Sequence, residues 1–178
     1  MRYITVDALN FKTYKNDLVK LYIDTFSKGK SFQYHSESET AAYLQSIIDV
    51  GYGIFAMEEN KLSGAILLTP FRFDELIPEE ISNNFEVESS VYVAEMMVEQ
   101  SKQGQGIGKK LLTFFLEKAD RNRFDDAFIR VWVENEAAVG LYKRMGFEVC
   151  ASIVQPRLLA DKSGTFDFEK IYLHQQLS

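Results

Sequence analysis

The sequence predicts an α/β fold, a twisted mixed sheet of about seven strands flanked by helices, in the order β-α-α-β-β-β-α-β-α-β-β. Two observations predict it. A pair of β-forming runs flanks a short polar turn, which is a hairpin. Later strand-like runs are separated by helix-periodic runs, which is the spacing of strand–helix–strand crossovers. Hairpins mixed with crossovers give a mixed sheet with helices on both faces.

Each element follows from its residues. Tyr3 to Leu9 reads as the first strand. Tyr14 to Ser27 places Tyr14, Leu18, Leu21, Tyr22 and Phe26 on one helical stripe, with Gly29 as a stop signal. Ser36 and Glu39 have capping-box spacing ahead of a helix that carries Leu44, Ile47 and Ile48 and stops near Gly51. Gly53 to Met57 and Leu62 to Thr69 form the hairpin across Glu58-Glu59-Asn60-Lys61. Pro70 to Ser90 is polar and reads as loop. Val91 to Val98 is a strand, followed by a Gly-rich turn and a helix to about Arg123. Ala127 to Val133 is rich in β-formers. Glu136 to Met145 is a short helix ended by Gly146, and Phe147 to Gln155 and Thr165 to His174 are the last strands. No repeat or linker divides the chain, so residues 1–178 are expected to form one domain.

The bulk numbers narrow the function classes. The chain has 178 residues, 46% of them apolar, with 14 Phe and 9 Tyr. That supports a core without disulfide or metal staples. The single cysteine, Cys150, permits no intrachain disulfide and points to a reducing compartment. Two histidines, His35 and His174, lie far apart in sequence, so no metal site is expected. The N-terminal MRYITVDALNF lacks the apolar run of a signal peptide, and no stretch approaches a membrane span. A cytoplasmic protein with no membrane partner is expected. The net charge of −6 argues against nucleic acid, which needs a basic face.

The stretch QGQGIGKKLLTFFLEKA carries the chemistry. Gly104, Gly106 and Gly108 precede an apolar, helix-periodic run. A strand leading through glycines into a helix N-terminus suits an anion, because the first helical N–H groups lack intrahelical partners. Walker A spacing fails: Gln103 stands at its first glycine and Lys110 at its Ser/Thr. The dinucleotide fingerprint fails as well, because the glycines here are spaced G-x-G-x-G.

The residues Gln103, Gly106 and Gly108 follow a strand ending Met96-Met97-Val98, a pattern that resembles the acyl-CoA pyrophosphate loop of the GNAT superfamily of N-acyltransferases. Downstream, Asn135, Ala138, Leu141, Tyr142, Gly146 and Phe147 resemble that family's N-x-x-A-x-x-L-Y-x-x-x-G-F segment. The close match covers Val91 to Val149. Gln103 stands where the family more often has Arg, and Gln100 where it often has Pro.

The resemblance implies direct transfer of an acetyl group from acetyl-CoA to a primary amine of a small molecule or peptide. It implies acetyl-CoA contacts at Met96, Met97, Val98, Gln103, Gly104, Gln105, Gly106, Ile107, Gly108, Lys109 and Asn135. The backbone N–H of Met97 or Val98 is the family's usual oxyanion donor. Asn135 is a candidate for the pantetheine arm, and equally a helix N-cap. A homodimer is compatible with the family.

Two residues are candidates for proton handling. Tyr142 falls on the family's tyrosine and is a candidate acid, its bland alternative being a packing residue beside Val139 and Phe147. Glu95 interrupts the apolar run VYVAEMMV and is a candidate base, since burial raises a carboxylate toward a useful pKa. Its alternatives are an ion pair with Arg130 on the next strand, or solvent. A base is needed because an amine of pKa about 10.4 is almost wholly protonated at neutral pH.

On the acceptor side, Pro70 to Ser90 holds Asp74, Glu75, Glu79, Glu80, Glu86 and Glu88 against Arg72 alone. A cationic amine steered by these acids is one candidate acceptor, and a solvated loop is the plainer reading. Tyr22, Phe26, Phe32, Tyr34 and His35 are candidates for an acceptor pocket, though aromatics at helical spacing more often belong to the core. A catalytically silent acyl-CoA sensor shares every one of these binding features, and differs only in not using Tyr142 and Glu95.

Overall fold

The computed structural model describes residues 1–27 and 34–177. Gly29 and Phe32 lie outside the described residues. Seven strands form one sheet in the order β1-β2-β3-β4-β5-β7-β6. They are β1 Arg2–Val6, β2 Tyr52–Glu58, β3 Lys61–Pro70, β4 Ser90–Val98, β5 Asp126–Trp132, β6 Glu148–Leu158 and β7 Thr165–Gln176. The helices are α1 Lys15–Ser27, α2 Glu37–Val50, the single turn α3 Glu79–Ser82, α4 Ile107–Lys118 and α5 Glu136–Arg144. Only β4 and β5 pair in parallel, and α4 is their crossover.

Side-chain alternation assigns the two faces of the sheet. Phe55, Met57, Ala65 and Leu67 pack under α1 and α2 with Leu18, Leu44 and Ile48. Their neighbours Ile54, Ala56, Ile66 and Leu68 face the other way, against Leu111, Leu112 and Phe115 of α4. Those three α4 side chains are fully buried, and truncating one to Ala costs about 2–5 kcal/mol. The segment between β3 and β4 folds back as short helical turns. Phe71 and Ile81 from it bury against Tyr92, Phe128 and Tyr172.

Three element ends differ from the sequence reading by three residues or more: β6 runs on to Leu158 rather than Gln155, and two elements stop short for one physical reason. The first strand stops at Val6, because Asp7 and Asn10 exchange side-chain hydrogen bonds with the backbone at 2.9–3.0 Å and close a turn. Leu9 is left almost wholly exposed. The fourth helix ends at Lys118 rather than near Arg123. Asp120 there accepts from the backbone N–H of Asn122 through its side chain and from those of Arg123 and Phe124 through its carbonyl. The Ser36 N-cap forms as its spacing predicts, accepting from the Glu39 N–H at 3.2 Å.

Candidate active site

The site begins with a fault in β4. This strand pairs antiparallel with β3 along its length, but the register skips between Leu67↔Glu95 and Leu68↔Val93. Ala94 is therefore an extra, unmatched residue, a β-bulge. Val91 and Val93 face α4. Strict alternation would send Glu95 the same way. The bulge reverses the faces, so Met96 and Val98 face α4 while Glu95 and Met97 join Tyr92 on the opposite side.

The same point is where two strands part. Pairing of β4 with β5 runs from Ser90↔Asp126 to Val93↔Ile129 and stops, while β5 continues against β7 to Trp132↔Lys170. A cleft of about 1380 Å³ opens at the split. Ladder geometry decides which backbone groups face it. The Glu99 N–H donates to the Ser63 carbonyl at 3.0 Å, so alternation turns the Met97 N–H into the β3 ladder and the Val98 N–H toward the split. The Val98 carbonyl points the same way and accepts from Gln103 Nε2 at 3.2 Å.

One end of the cleft is the Gly-rich turn. Gly104 and Gly106 have φ of 77° and 80°, a region in which side chains are strained. A Cβ at either would meet nothing within 4 Å, so open space lies above this backbone. Gly106 caps α4 without a side chain, and the first intrahelical bond is Lys110 N–H to the Gly106 carbonyl. The N–H groups of Ile107, Gly108 and Lys109 are thereby left as unpaired donors at the positive end of the helix dipole. Gln103 and Gln105 brace the turn through backbone carbonyls, Gln105 onto Ser101 at 3.3 Å. Lys102 is tied to Glu58 and to Ser63 Oγ. Lys109 is exposed at the helix start. This cradle of donors and free space fits a diphosphate.

Glu95 lies half-buried in the cleft wall, where the Tyr43 hydroxyl donates to its Oε1 at 2.8 Å. Desolvation raises its carboxyl above the ordinary carboxylate range. The Tyr43 hydrogen bond and the charges of Lys170, Arg130 and Arg157 oppose that rise. The alternative pairing of Glu95 with Arg130 does not form. Arg130 Nη1 instead meets both Asp74 oxygens at 3.0 and 3.2 Å and the Tyr172 hydroxyl at 2.7 Å, a buried cluster of its own.

Tyr142 is buried, at 4% exposure, on α5 and lines the cleft. Its hydroxyl forms no hydrogen bond with the described residues. Burial, then the charge of Glu95, pushes its pKa well up, so it stays a donor. Asn135 caps α5, its side chain accepting from the Ala138 N–H at 3.4 Å, and it also lines the cleft. Its amide NH2 remains available.

The acceptor side of the cleft takes little from the acidic segment. Of the six acids between Pro70 and Ser90, only Asp74 and Glu75 line the cleft, and Asp74 is held by Arg130. Tyr22, Phe26, Tyr34 and His35 line the cleft, and Tyr22 and Phe26 belong at the same time to the core under α1 and α2. Tyr43 went unnoticed. Its only sequence signal is a tyrosine off the apolar stripe of α2. Among the described residues, no three His, Cys, Asp or Glu are placed to hold a metal, and no helix is long and apolar enough to cross a membrane.

Comparison with known proteins bears on the family and the fold. The family model described as Acetyltransferase (GNAT) family matches residues 15–147. The chain is 39% identical over 56 residues to N-alpha-acetyltransferase 30 of Saccharomyces cerevisiae, a match that spans 32% of this chain and 32% of that relative. Among solved structures, it resembles a ribosomal-protein-alanine N-acetyltransferase from Brucella melitensis, with TM-score 0.73, 19% identity and 99% and 100% of the two chains covered. It also resembles a phosphinothricin acetyltransferase from Sinorhizobium meliloti in complex with AcCoA, with TM-score 0.72, 17% identity and 100% and 90% covered. At such identities these structures establish the fold alone.

Proposed function

This chain belongs to the acetyltransferase (GNAT) family, and we propose that it moves an acetyl group from acetyl-CoA directly to a primary amine of a small molecule or peptide. Acetyl-CoA is the acyl donor of this acyltransferase, supplying the activated thioester. One observation carries the proposal. A desolvated carboxylate, Glu95, and an unpaired tyrosine hydroxyl, Tyr142, line one cleft with a backbone N–H that the sheet leaves free at Val98.

The chain's residues divide the work. The turn from Gln103 to Lys109 holds the diphosphate through backbone donors, and Asn135 offers its amide to the pantetheine arm. Met96 and Met97 belong to the strand along which that arm would lie. The Val98 N–H donates to the carbonyl oxygen as charge develops on it. As the C–N bond forms, Glu95 accepts the nitrogen's proton, directly or through water. As the C–S bond breaks, the Tyr142 hydroxyl donates to sulfur, whose thiolate has a pKa of about 8.5. A silent sensor would gain nothing from a carboxylate held desolvated beside an unpaired phenol.

The same reading treats residues 1–178 as one N-acetyltransferase unit working in the cytoplasm, consistent with its one free cysteine, Cys150. It includes no metal, nucleic acid or membrane. A peptide amine is favoured among acceptors by the match to an N-alpha-acetyltransferase. A homodimer is supported by the edge strand β6, whose Val154 is 65% exposed. The test is incubation with acetyl-CoA and a panel of primary amines, with mass detection of product. An acetylated amine supports the proposal. Acetyl-CoA binding with no product from any amine class contradicts it.

A further inference from the structure

Across the cleft from Glu95, the β5–β7–β6 half of the sheet carries two cations, Lys170 and Arg157, that form no direct ion pair with the described residues, although the charges of Glu95 and Asp74 reach Lys170. Register sets Lys170 opposite both Trp132 and Ile153, and Arg157 opposite Phe166. Lys170 shares a face with Tyr172, which packs beneath the Pro70–Ser90 segment, whereas Ile171 and Leu173 face α4 and α5. Lys170 and Arg157 both line the cleft, together with His35.

Their hydrogen bonding is incomplete. Arg157 Nε and His35 Nε2 are buried with no partner, and Lys170 makes no ion pair or hydrogen bond among the described residues. The acids of the cleft are engaged or remote. Asp74 is held by Arg130 and Tyr172, and Glu95 by Tyr43. Asp24 pairs with Lys20, the Glu39 carboxylate accepts from the Ser36 hydroxyl, and Glu75 is exposed. Burial together with the charges of Arg157 and Arg130 lowers Lys170 to about 8, and burial with Arg157 and Lys170 lowers His35 to about 4. Glu95 and Asp74 pull Lys170 the other way through longer-range charge but are outweighed, so this wall keeps an excess of positive charge with no anion in direct contact. Removing a cation from water without pairing it is costly, so a wall of this kind is complete only when an anion sits on it.

The diphosphate is not that anion. The Gly-rich turn leads into α4, on the other face of the sheet, and β6 lies three strands from β4, about 14 Å away at ordinary strand spacing. We propose that the acceptor is an amine that also carries a carboxylate, held by Arg157 and Lys170 with His35 beside them while its amino group faces Glu95. This rests on the acyl-transfer reading above and names its substrate class. It points away from a cationic acceptor steered by the Pro70–Ser90 acids, four of which do not reach the cleft.

The test uses matched acceptors that differ only in a carboxylate or a carboxamide: α- and ω-amino acids of increasing length, and peptides with free or amidated C-termini. Each is assayed with the full chain and saturating acetyl-CoA. The carboxylate member of at least one pair is expected to be acetylated with kcat/KM higher by about tenfold or more. Arg157→Gln and Lys170→Gln should each raise KM for that acceptor by about tenfold, with kcat and the KM for acetyl-CoA little changed. Arg157→Met serves as the folding control. Deleting a half-buried cation whose Nε has no partner should leave the melting temperature unchanged or raise it, whereas an arginine with a purely structural role would lower it.

Equal kcat/KM within every pair overturns the proposal, as does an equal loss on both members in the variants. It is overturned too if no carboxylate-bearing amine is acetylated although acetyl-CoA binds by calorimetry, which leaves the acyl-transfer reading standing. If succinyl-CoA outcompetes acetyl-CoA and Arg157→Gln abolishes that preference, the carboxylate belongs to the donor and the proposal fails. Failure to bind acetyl-CoA at all removes the acyl-transfer reading, and this proposal with it.

Discussion

The Tyr43 hydroxyl of α2 donates to the Glu95 carboxylate of β4 at 2.8 Å, across 52 residues of sequence. This contact joins the helical cover of the cleft to the one carboxylate that the β4 bulge turns toward it. A donor to a carboxylate stabilises its charged form. Here that works against the desolvation that raises the Glu95 pKa.

Tyr43→Phe should therefore raise the Glu95 pKa further. The acidic limb of the pH profile of kcat/KM is expected to move to higher pH by about one unit, the equivalent of a charge-assisted hydrogen bond of about 1.4 kcal/mol. An unmoved limb would mean that Glu95 is not the group seen in the profile.

Glu95→Gln should separate stability from activity. The folded pKa of Glu95 lies above its ordinary value of 4.5, so the folded state holds a proton that the unfolded chain has lost. Stability from this group is then full below 4.5 and declines as pH rises toward the folded pKa, the reverse of a salt-bridged carboxylate. At neutral pH the variant should melt higher than the parent. It should also lose about 100-fold or more in kcat, the usual share of a general base. A lower melting temperature at pH 7 would refute the desolvation argument.

Tyr142→Phe removes a hydroxyl that bonds nothing in the described protein. Turnover is expected to fall by about 100-fold, with the acetyl-CoA dissociation constant within about threefold of the parent. Equal losses in both would make Tyr142 a binding residue rather than a proton donor.

At the Gly-rich turn, Gly106→Ala places a Cβ where φ is 80° and where the space above is open. The fold should lose about 1 kcal/mol from backbone strain, and acetyl-CoA binding should weaken by more than that loss explains. Calorimetric titration of the variant against the parent reads the second effect, and a thermal melt reads the first.

Arg130→Met tests the second polar cluster. Asp74, with a side chain only 5% exposed, would keep the Tyr172 hydroxyl but lose its cation. Breaking a buried pair in this way should destabilise the fold by about 3 kcal/mol, measured by denaturant unfolding.

Most of the architecture was legible, because periodicity reports burial. The hairpin of β2 and β3, the stripe of α4 and the cap at Ser36 all appear where the pattern puts them. The ends of β1 and α4 were not legible, since Asp7 and Asp120 draw the backbone into turns that apolar spacing does not register. The bulge at Ala94 was hidden for a deeper reason. VYVAEMMV is an apolar run that reads as a regular strand, yet one unmatched residue decides whether Glu95 meets the α4 core or the cleft. Tyr43 was hidden by distance along the chain. Lys170 was hidden by ordinariness, since a cation in a strand reads as solvent-facing until the sheet order closes over it, and Arg157 lay beyond the Gln155 at which the sequence reading ends β6.

The measurement that bears most directly on this account is the pH dependence of kcat/KM for acetyl transfer to one amine, compared between the parent chain and Glu95→Gln. The parent should show an acidic limb with a pKa above the ordinary carboxylate value of 4.5, and the variant should lose that limb along with most of its rate. A variant that keeps both the limb and the rate would contradict a proton-accepting role for Glu95.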